Sequence, residues 1–177
     1  LSIKIVIKNN ICDIYLNSSG TPLYIRGYKR KTHKAPINEA LAAGLIYSSG
    51  WTKKENLIDP MCGSGTFCTE ASMIKRAIPP GVSRNFSFQK WLNYDTDLFK
   101  AIHRKSIANI DQASKNTIFG SDVDPLSIDG CKEILNQFRY SLGIKFETNN
   151  ISTTSHYKSL IITNPPYGKR IEGEKEM

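Results

Sequence analysis

Residues 56–67 read NLIDPMCGSGTF, and the parsing of these positions decides what the rest of the chain can be. Leu57 and Ile58 make a short strand of the buried type, closed by Asp59. Gly63 and Gly65 then stand just ahead of a helical pattern in which Phe67, Ala71, Ile74 and Ile78 recur at helix spacing, until Pro79-Pro80-Gly81 stops it. A strand, a glycine turn and a helix start bring backbone close to a ligand and offer free N–H groups to an anion. A lone Gly-x-Gly serves a purely structural turn equally well.

Outward from this unit the alternation repeats. NTIFGSD (116–122) reads as a second strand ending in Asp122. Asp124 then suits an N-cap and Pro125 a first helical residue, for a helix expected to run to a Gly143 C-cap with Ile128, Cys131, Leu135, Phe138 and Leu142 as its apolar stripe. IKFET (144–148) and SLIIT (159–163) read as two further strands. Residues 85–114 read as a loop with aromatic anchors feeding another helix. Upstream, Pro36 suits the first turn of a helix with Ile37, Leu41 and Leu45 on one face and Gly50 as its stop. Strands alternating with helices imply an α/β fold with a doubly wound, mainly parallel sheet.

The N-terminal stretch differs. Ile3, Ile5 and Ile7 alternate with polar residues, Asn9-Asn10 makes a turn, and ICDIYL (11–16) reads as the hairpin partner, so residues 1–28 form the edge of a small β-rich module. A basic connector, 29–35, leads to the α/β domain, 36–177. The chain begins with Leu inside a strand pattern, and four strands follow the connector. The expectation is therefore a piece of a longer polypeptide, its sheet truncated after the fourth strand, with SLIIT as an open apolar edge prone to self-association.

Composition narrows the partners. With 24 Lys and Arg against 16 Asp and Glu in 177 residues, the formal net charge is +8. An anionic partner such as nucleic acid fits, and a generally basic surface explains the same number. RGYKRKTHK (26–34) admits the same two readings, a phosphate grip or a solvated linker. The four cysteines form no paired CxxC pattern, and His33, His103 and His156 have no partner spacing, so no metal is expected. No apolar run reaches the length of a membrane span and no signal peptide is visible. A reduced, cytoplasmic setting without membrane contact is expected.

The ligand of the glycine loop follows from what the loop lacks and what surrounds it. A dinucleotide fingerprint needs a third glycine where Cys68 stands, and a phosphate-binding P-loop needs a lysine that does not follow Gly65. Asp59 is placed to accept from an ammonium, and the helix end beyond Thr66 to receive a carboxylate. Asp122, at the end of the next strand, suits a pair of ribose hydroxyls, and suits a capping role equally. An amino acid joined to a nucleoside describes S-adenosylmethionine.

With that ligand, TNPPYG (163–168) can be read. Two adjacent prolines would break a helix or a central strand. Together, DPMCGSGTF, GSDVD and IITNPPYGKR resemble a class I, Rossmann-like methyltransferase of the amino-methylating type. SSGTPLYIRGYKRKTHKAPINEALAAGLI and PPGVSRNFSFQKW resemble, more narrowly, the THUMP-linked ribosomal RNA guanine-N2 methyltransferases, formerly labelled adenine-specific DNA methylases. The resemblance runs along nearly the whole chain. It implies that residues 1–28 are the C-terminal edge of a THUMP-like RNA-binding module. It implies a cofactor loop of Asp59, Cys62, Gly63, Ser64, Gly65 and Thr66, with Asp122 on the ribose. It also implies that Asn164, Pro165, Pro166 and Tyr167 receive the target amine. Where such enzymes carry an acidic residue near the cofactor adenine, this chain has Asn150, whose amide can still hydrogen-bond the adenine edge.

The expected chemistry is methyl transfer to an exocyclic amine of a nucleobase, with guanine N2 in ribosomal RNA first. Such an amine is planar and a poor nucleophile. The Asn164 side-chain oxygen and the Pro165 carbonyl can each accept one of its N–H groups, raising electron density on nitrogen, while the prolines fix the carbonyl's direction. Tyr167 would stack on the base, which must leave any duplex first. DNA adenine-N6 or protein glutamine methylation would use the same four residues. A non-catalytic fragment that binds RNA or cofactor is the alternative of another class.

Overall fold

The computed structural model describes residues 2–28, 36–114, 117–153 and 158–166. The basic linker at 29–35, and with it His33, lies outside these residues, as do His156 and Tyr167.

Two strands, β1 (Ile3–Lys8) and β2 (Ile11–Leu16), pair antiparallel in the expected hairpin. Asn9 and Asn10 turn it, both at positive φ (50° and 61°), as the tightest hairpin turns require and as asparagine tolerates better than most residues. The register sets Ile3 opposite Leu16, Ile5 opposite Ile14 and Ile7 opposite Cys12, so these six share one face of the ribbon.

The α/β part is a four-stranded, all-parallel sheet of β3 (Asn56–Asp59), β4 (Ile118–Asp122), β5 (Ile144–Thr148) and β6 (Ser159–Ile161), in spatial order β5-β4-β3-β6. The expected strands at 56–59 and 144–148 are found with those bounds. Four helices, α1 (Glu39–Ser48), α2 (Thr66–Lys75), α3 (Thr96–Ala108) and α4 (Pro125–Leu135), accompany it. α2 is the centre of the core: every residue from Thr66 to Met73 is buried, which suits a helix enclosed on most sides.

Three expectations are corrected. α1 begins at Glu39 behind the Asn38 N-cap, whose side chain accepts from the Leu41 N–H at 3.1 Å, so Pro36 precedes the helix instead of opening it. Its inner face is Ala42 and Ile46, 0% and 1% exposed, while Leu41 and Leu45 are 55% and 43% exposed. The sequence there is apolar on both sides of the helix, and the side bearing the small Ala42 is the one that packs on α2. The second helix stops at Lys75, short of Ile78. Arg76 turns inward there, donating to the carbonyls of Leu142, Asp111, Gln112 and Ser114 at 3.0, 3.4, 3.3 and 2.9 Å, and Ala77 takes a positive φ of 53°. The third correction follows from the second. α4 starts at Asp124 and Pro125 as read but ends at Leu135, not Gly143. The Leu142 carbonyl is committed to Ser72 and Arg76, and the Phe138 ring to Tyr28, with centroids 5.6 Å apart.

Candidate active site at the carboxyl ends of the strands

From β3 the chain steps through α2 to β4 and through α4 to β5, always in one direction across the sheet, whereas β6 lies on the other side of β3. The order of the sheet reverses between β3 and β6, and ligands of open α/β sheets bind outside the strand ends at such a reversal. The loops that meet there follow β3, β4, β5 and β6. They carry Asp59, Gly63 and Gly65, Asp122, Asn150, and Asn164. The Ile162 N–H donates to the Ile58 carbonyl at 3.0 Å, which keeps the segment leading to Asn164 beside the end of β3.

Asp59 is buried, 2% exposed. Burial raises its carboxyl pKa to about 7 and the negative charge of Asp122 adds to the rise, against the Met61 N–H at 3.3 Å and the nearby Thr163 hydroxyl, which lower it. Thr163 Oγ1 itself is buried without a well-aligned hydrogen bond. A carboxylate in this position is costly without a cation beside it. Thr163 escaped the sequence reading, because a threonine next to Asn164 gives no sign that it faces a residue over a hundred positions away.

The two glycines of the loop serve different ends. At Gly65 (φ 69°) an added Cβ would lie 2.9 Å from both Cys131 Sγ and Phe146 Cζ, so the position needs glycine for packing as well as for its backbone. At Gly63 (φ 50°) an added Cβ would meet nothing within 4 Å. The backbone there faces open space. Gly65, the N-cap of α2, supplies no side-chain cap, so the first-turn N–H groups could take an anionic group. Ser64 Oγ and Thr66 Oγ1 lie 3.1 Å apart beside this end.

The Cys62 side chain turns into the core. Its contact with the Cys131 thiol and burial push the Cys62 thiol well up, while the one S–H of Cys131 donates to the Gly63 carbonyl at 3.2 Å. Cys62 therefore meets the site through its backbone, with its N–H on the Ser121 carbonyl at 2.8 Å. Cys131 is core, as its stripe implied, and supports the loop from beneath.

Asp122 joins the loops. Its Oδ2 accepts from the Gly63 N–H at 2.8 Å and its Oδ1 from the Asp124 N–H at 3.0 Å, while its carbonyl accepts from the Asn149 N–H at 3.0 Å. The capping reading of this residue is the one these bonds show. Asn150 is exposed and its Oδ1 accepts from the Ser152 N–H and hydroxyl, each at 3.0 Å, capping the short turn Ile151–Thr153. Asn164 is half-buried, and Pro165 and Pro166 are exposed. His103 lies on α3, in the β3-to-β4 crossover, away from these loops. Among the described residues no cluster of three His, Cys, Asp or Glu side chains could hold a metal ion, and no helix is long and apolar enough to cross a membrane.

Comparison with known proteins places this geometry among relatives. The family described as UPF0020, the RMKL-like methyltransferase domain, matches residues 26–177. The ribosomal RNA large subunit methyltransferase K/L of Buchnera aphidicola is 37% identical over 188 residues, an alignment covering all of this chain and 27% of that protein. The corresponding protein of Desulfotalea psychrophila is 36% identical, with 96% and 25% covered. Among solved structures, a possible methylase from Clostridium difficile 630 superimposes with a TM-score of 0.86 at 38% identity, covering 96% of this chain and 45% of that one. SMU.472, complexed with SAH, gives 0.87 at 30% identity, with 98% and 46% covered. The chain thus spans between a quarter and a half of the length of these relatives.

Proposed function

The chain belongs to the RMKL-like methyltransferase domain family, and from that premise we propose that it binds S-adenosylmethionine at the carboxyl ends of its strands and methylates an exocyclic amine of RNA, guanine N2 of ribosomal RNA being the specific target. One observation carries the reading: buried Asp59, the open backbone at Gly63 and the carboxylate of Asp122 stand at the strand ends where the sheet order reverses, and the Ile162–Ile58 hydrogen bond leads the segment that carries Asn164 out beside them.

The residues fit the cofactor. The space over Gly63 admits a ligand, Asp59 needs a cation, and the uncapped start of α2 needs an anion; an amino-acid end supplies both charges. When bound, S-adenosylmethionine supplies an electrophilic methyl group on a sulfonium. Asp59 holds the ammonium and the α2 start the carboxylate. Asp122 keeps lone pairs for ribose hydroxyls beyond its two backbone bonds, since each carboxylate oxygen accepts more than once. The amide of Asn150 serves the adenine edge.

At the other side of the site Asn164 Oδ1 and the Pro165 carbonyl accept the two N–H groups of the target amine, and Tyr167 stacks on its base. The acceptors aim the nitrogen and raise its electron density, so positioning and electrostatics supply the acceleration. As the new N–C bond would form, the C–S bond would break to leave a neutral thioether, and one amine proton would pass to water, with no side chain needed as base. RNA is favoured by the +8 charge and by the ribosomal RNA enzymes among the relatives. Incubation with labelled cofactor and, in parallel, ribosomal RNA, DNA and protein from one lysate tests this. Label in RNA, recovered as N2-methylguanosine, is the expected result. Label confined to DNA or protein would replace the substrate, and no label with intact cofactor binding would leave a non-catalytic binder.

A further inference from the structure

Between the loop after α2 and helix α3 lies a groove of about 360 Å³, lined by Arg84, Asn85, Gln89, Lys100, His103 and Arg104 among others. Among the described residues no carboxylate makes a contact ion pair with Arg84, Lys100 or Arg104; Asp97 stands one turn before Lys100 on α3, and Arg104 Nε donates to the Lys100 carbonyl at 3.4 Å. Arg84 spends its guanidinium on neutral acceptors, the carbonyls of Ser19, Thr21, Pro22 and Ile25 and the Thr21 hydroxyl, and lies 5.0 Å over the Phe86 ring. The bonds fix the group in place and leave its charge. Lys100 and Arg104 stand four apart on α3, where like charges repel. No residue of α3 is buried, so these side chains do not serve the core.

Below them the wall is rigid and aromatic. Phe99 packs on Phe88 and Tyr94, with centroids 5.7 and 5.9 Å away, and on the His103 ring at 6.1 Å. Fixed positive charge beside a polar amide edge, over a stiff floor, is the chemistry of a phosphate contact. The groove is separate from the candidate active site. Its lining comes from the segment after α2 and from α3 and includes none of the cofactor-loop residues.

We propose that this groove holds backbone phosphate of the RNA whose base is methylated, acting as a remote anchor. The inference rests on the RNA reading above. Arg84 ties the groove wall to residues 19–25, so an RNA lying there also runs past the segment that leads in from the hairpin.

The test compares the full chain with its Lys100→Glu/Arg104→Glu variant, binding a fluorescein-labelled stem-loop of ribosomal RNA across a salt series. A control of equal charge change, Lys132→Glu/Lys145→Glu, alters exposed residues of α4 and β5 that do not line the groove and whose partners, Asp129 and Glu147, are exposed as well. Two lost phosphate contacts make the slope of log K against log salt shallower by about 1.5, and weaken binding at low salt at least tenfold. The control should change the slope little, and SAH affinity should be equal in all three proteins. If the charge reversal unfolds α3, Lys100→Gln/Arg104→Gln reads the same slope. Equal slopes for wild type and groove variant, or an equal fall in the control, overturn the proposal. Absence of salt-dependent RNA binding by the wild type would count against the RNA reading itself, and the anchor would fall with it.

Discussion

The carboxylate of Asp122 accepts a hydrogen bond from the Gly63 backbone N–H at 2.8 Å, linking the end of one strand to the glycine loop of its neighbour across 59 positions of sequence. Its second oxygen holds the Asp124 N–H. The loop is thus pre-formed by the residue proposed to hold the ribose. A sequence reading that gives Asp122 a ligand role and no part in the fold is incomplete.

Asp122→Ala should therefore lower stability and cofactor affinity together. Two backbone donors lose a charged acceptor, which costs about 1.5–3 kcal/mol of folding free energy. SAH affinity should fall at least tenfold. Denaturant unfolding and calorimetric titration read the two effects. A stability loss with unchanged SAH affinity would leave only the capping role.

Asp59 gives the site a pH signature. Its folded carboxyl pKa of about 7 lies above the ordinary carboxylate value, chiefly through burial. The folded state therefore favours the protonated form, so the contribution to stability is full at acid pH and is lost as pH rises through 7. Ammonium binding needs the ionised form. SAH affinity should accordingly strengthen roughly fifty-fold between about pH 5 and about pH 7 and level off above, because the competent fraction scales the apparent affinity. Asp59→Asn should abolish both trends. A flat calorimetric profile for the wild type would mean that Asp59 does not face the ammonium.

The two loop glycines should separate packing from ligand access. Gly65→Ala drives a methyl group against Cys131 and Phe146 and should cost about 2–4 kcal/mol of stability, from overpacking added to a strained φ. Gly63→Ala meets open space, so it should cost about 1 kcal/mol through its backbone conformation and reduce SAH affinity more strongly than stability. Thermal unfolding with and without SAH distinguishes them. Equal stability losses would remove the distinction.

Much of this arrangement is legible in the sequence because it is written locally. Asn56–Asp59 and Ile144–Thr148 are short strands between turn residues, Asp124 and Pro125 mark a helix start, and Asn9-Asn10 marks a hairpin. What is not legible depends on long-range approach. Leu41 and Leu45 look like the inner face of α1 until Ala42 is seen to let α2 approach. Beyond the end of α4 at Leu135 the chain toward Gly143 is held by other elements, the Leu142 carbonyl accepting from Arg76 and the Phe138 ring packing on Tyr28. The same holds for Tyr28, whose hydroxyl donates to buried Glu70 at 2.8 Å beside Arg26. Nothing in LYIRGY or TEASMIK announces that junction between the N-terminal segment and the central helix.

That junction carries its own expectation. Burial raises the Glu70 carboxyl pKa, against the Tyr28 hydrogen bond and the Arg26 charge 3.5 Å away, which lower it. Tyr28→Phe leaves that carboxylate short of a donor in a dry site and should cost about 1–3 kcal/mol in denaturant unfolding. SAH affinity should hold. An unchanged midpoint would show that the pair contributes nothing to joining the two segments.

The most direct measurement is single-turnover methyl transfer by Asn164→Ala on RNA, in the longest form of the enzyme that is active, alongside calorimetric titration of SAH. Removing one of two acceptors from the target amine, without touching Pro165 or Pro166, should slow the chemical step about a hundredfold or more while SAH affinity stays near the wild-type value. Full turnover by the variant would contradict the account and reduce Asn164, Pro165 and Pro166 to an ordinary turn.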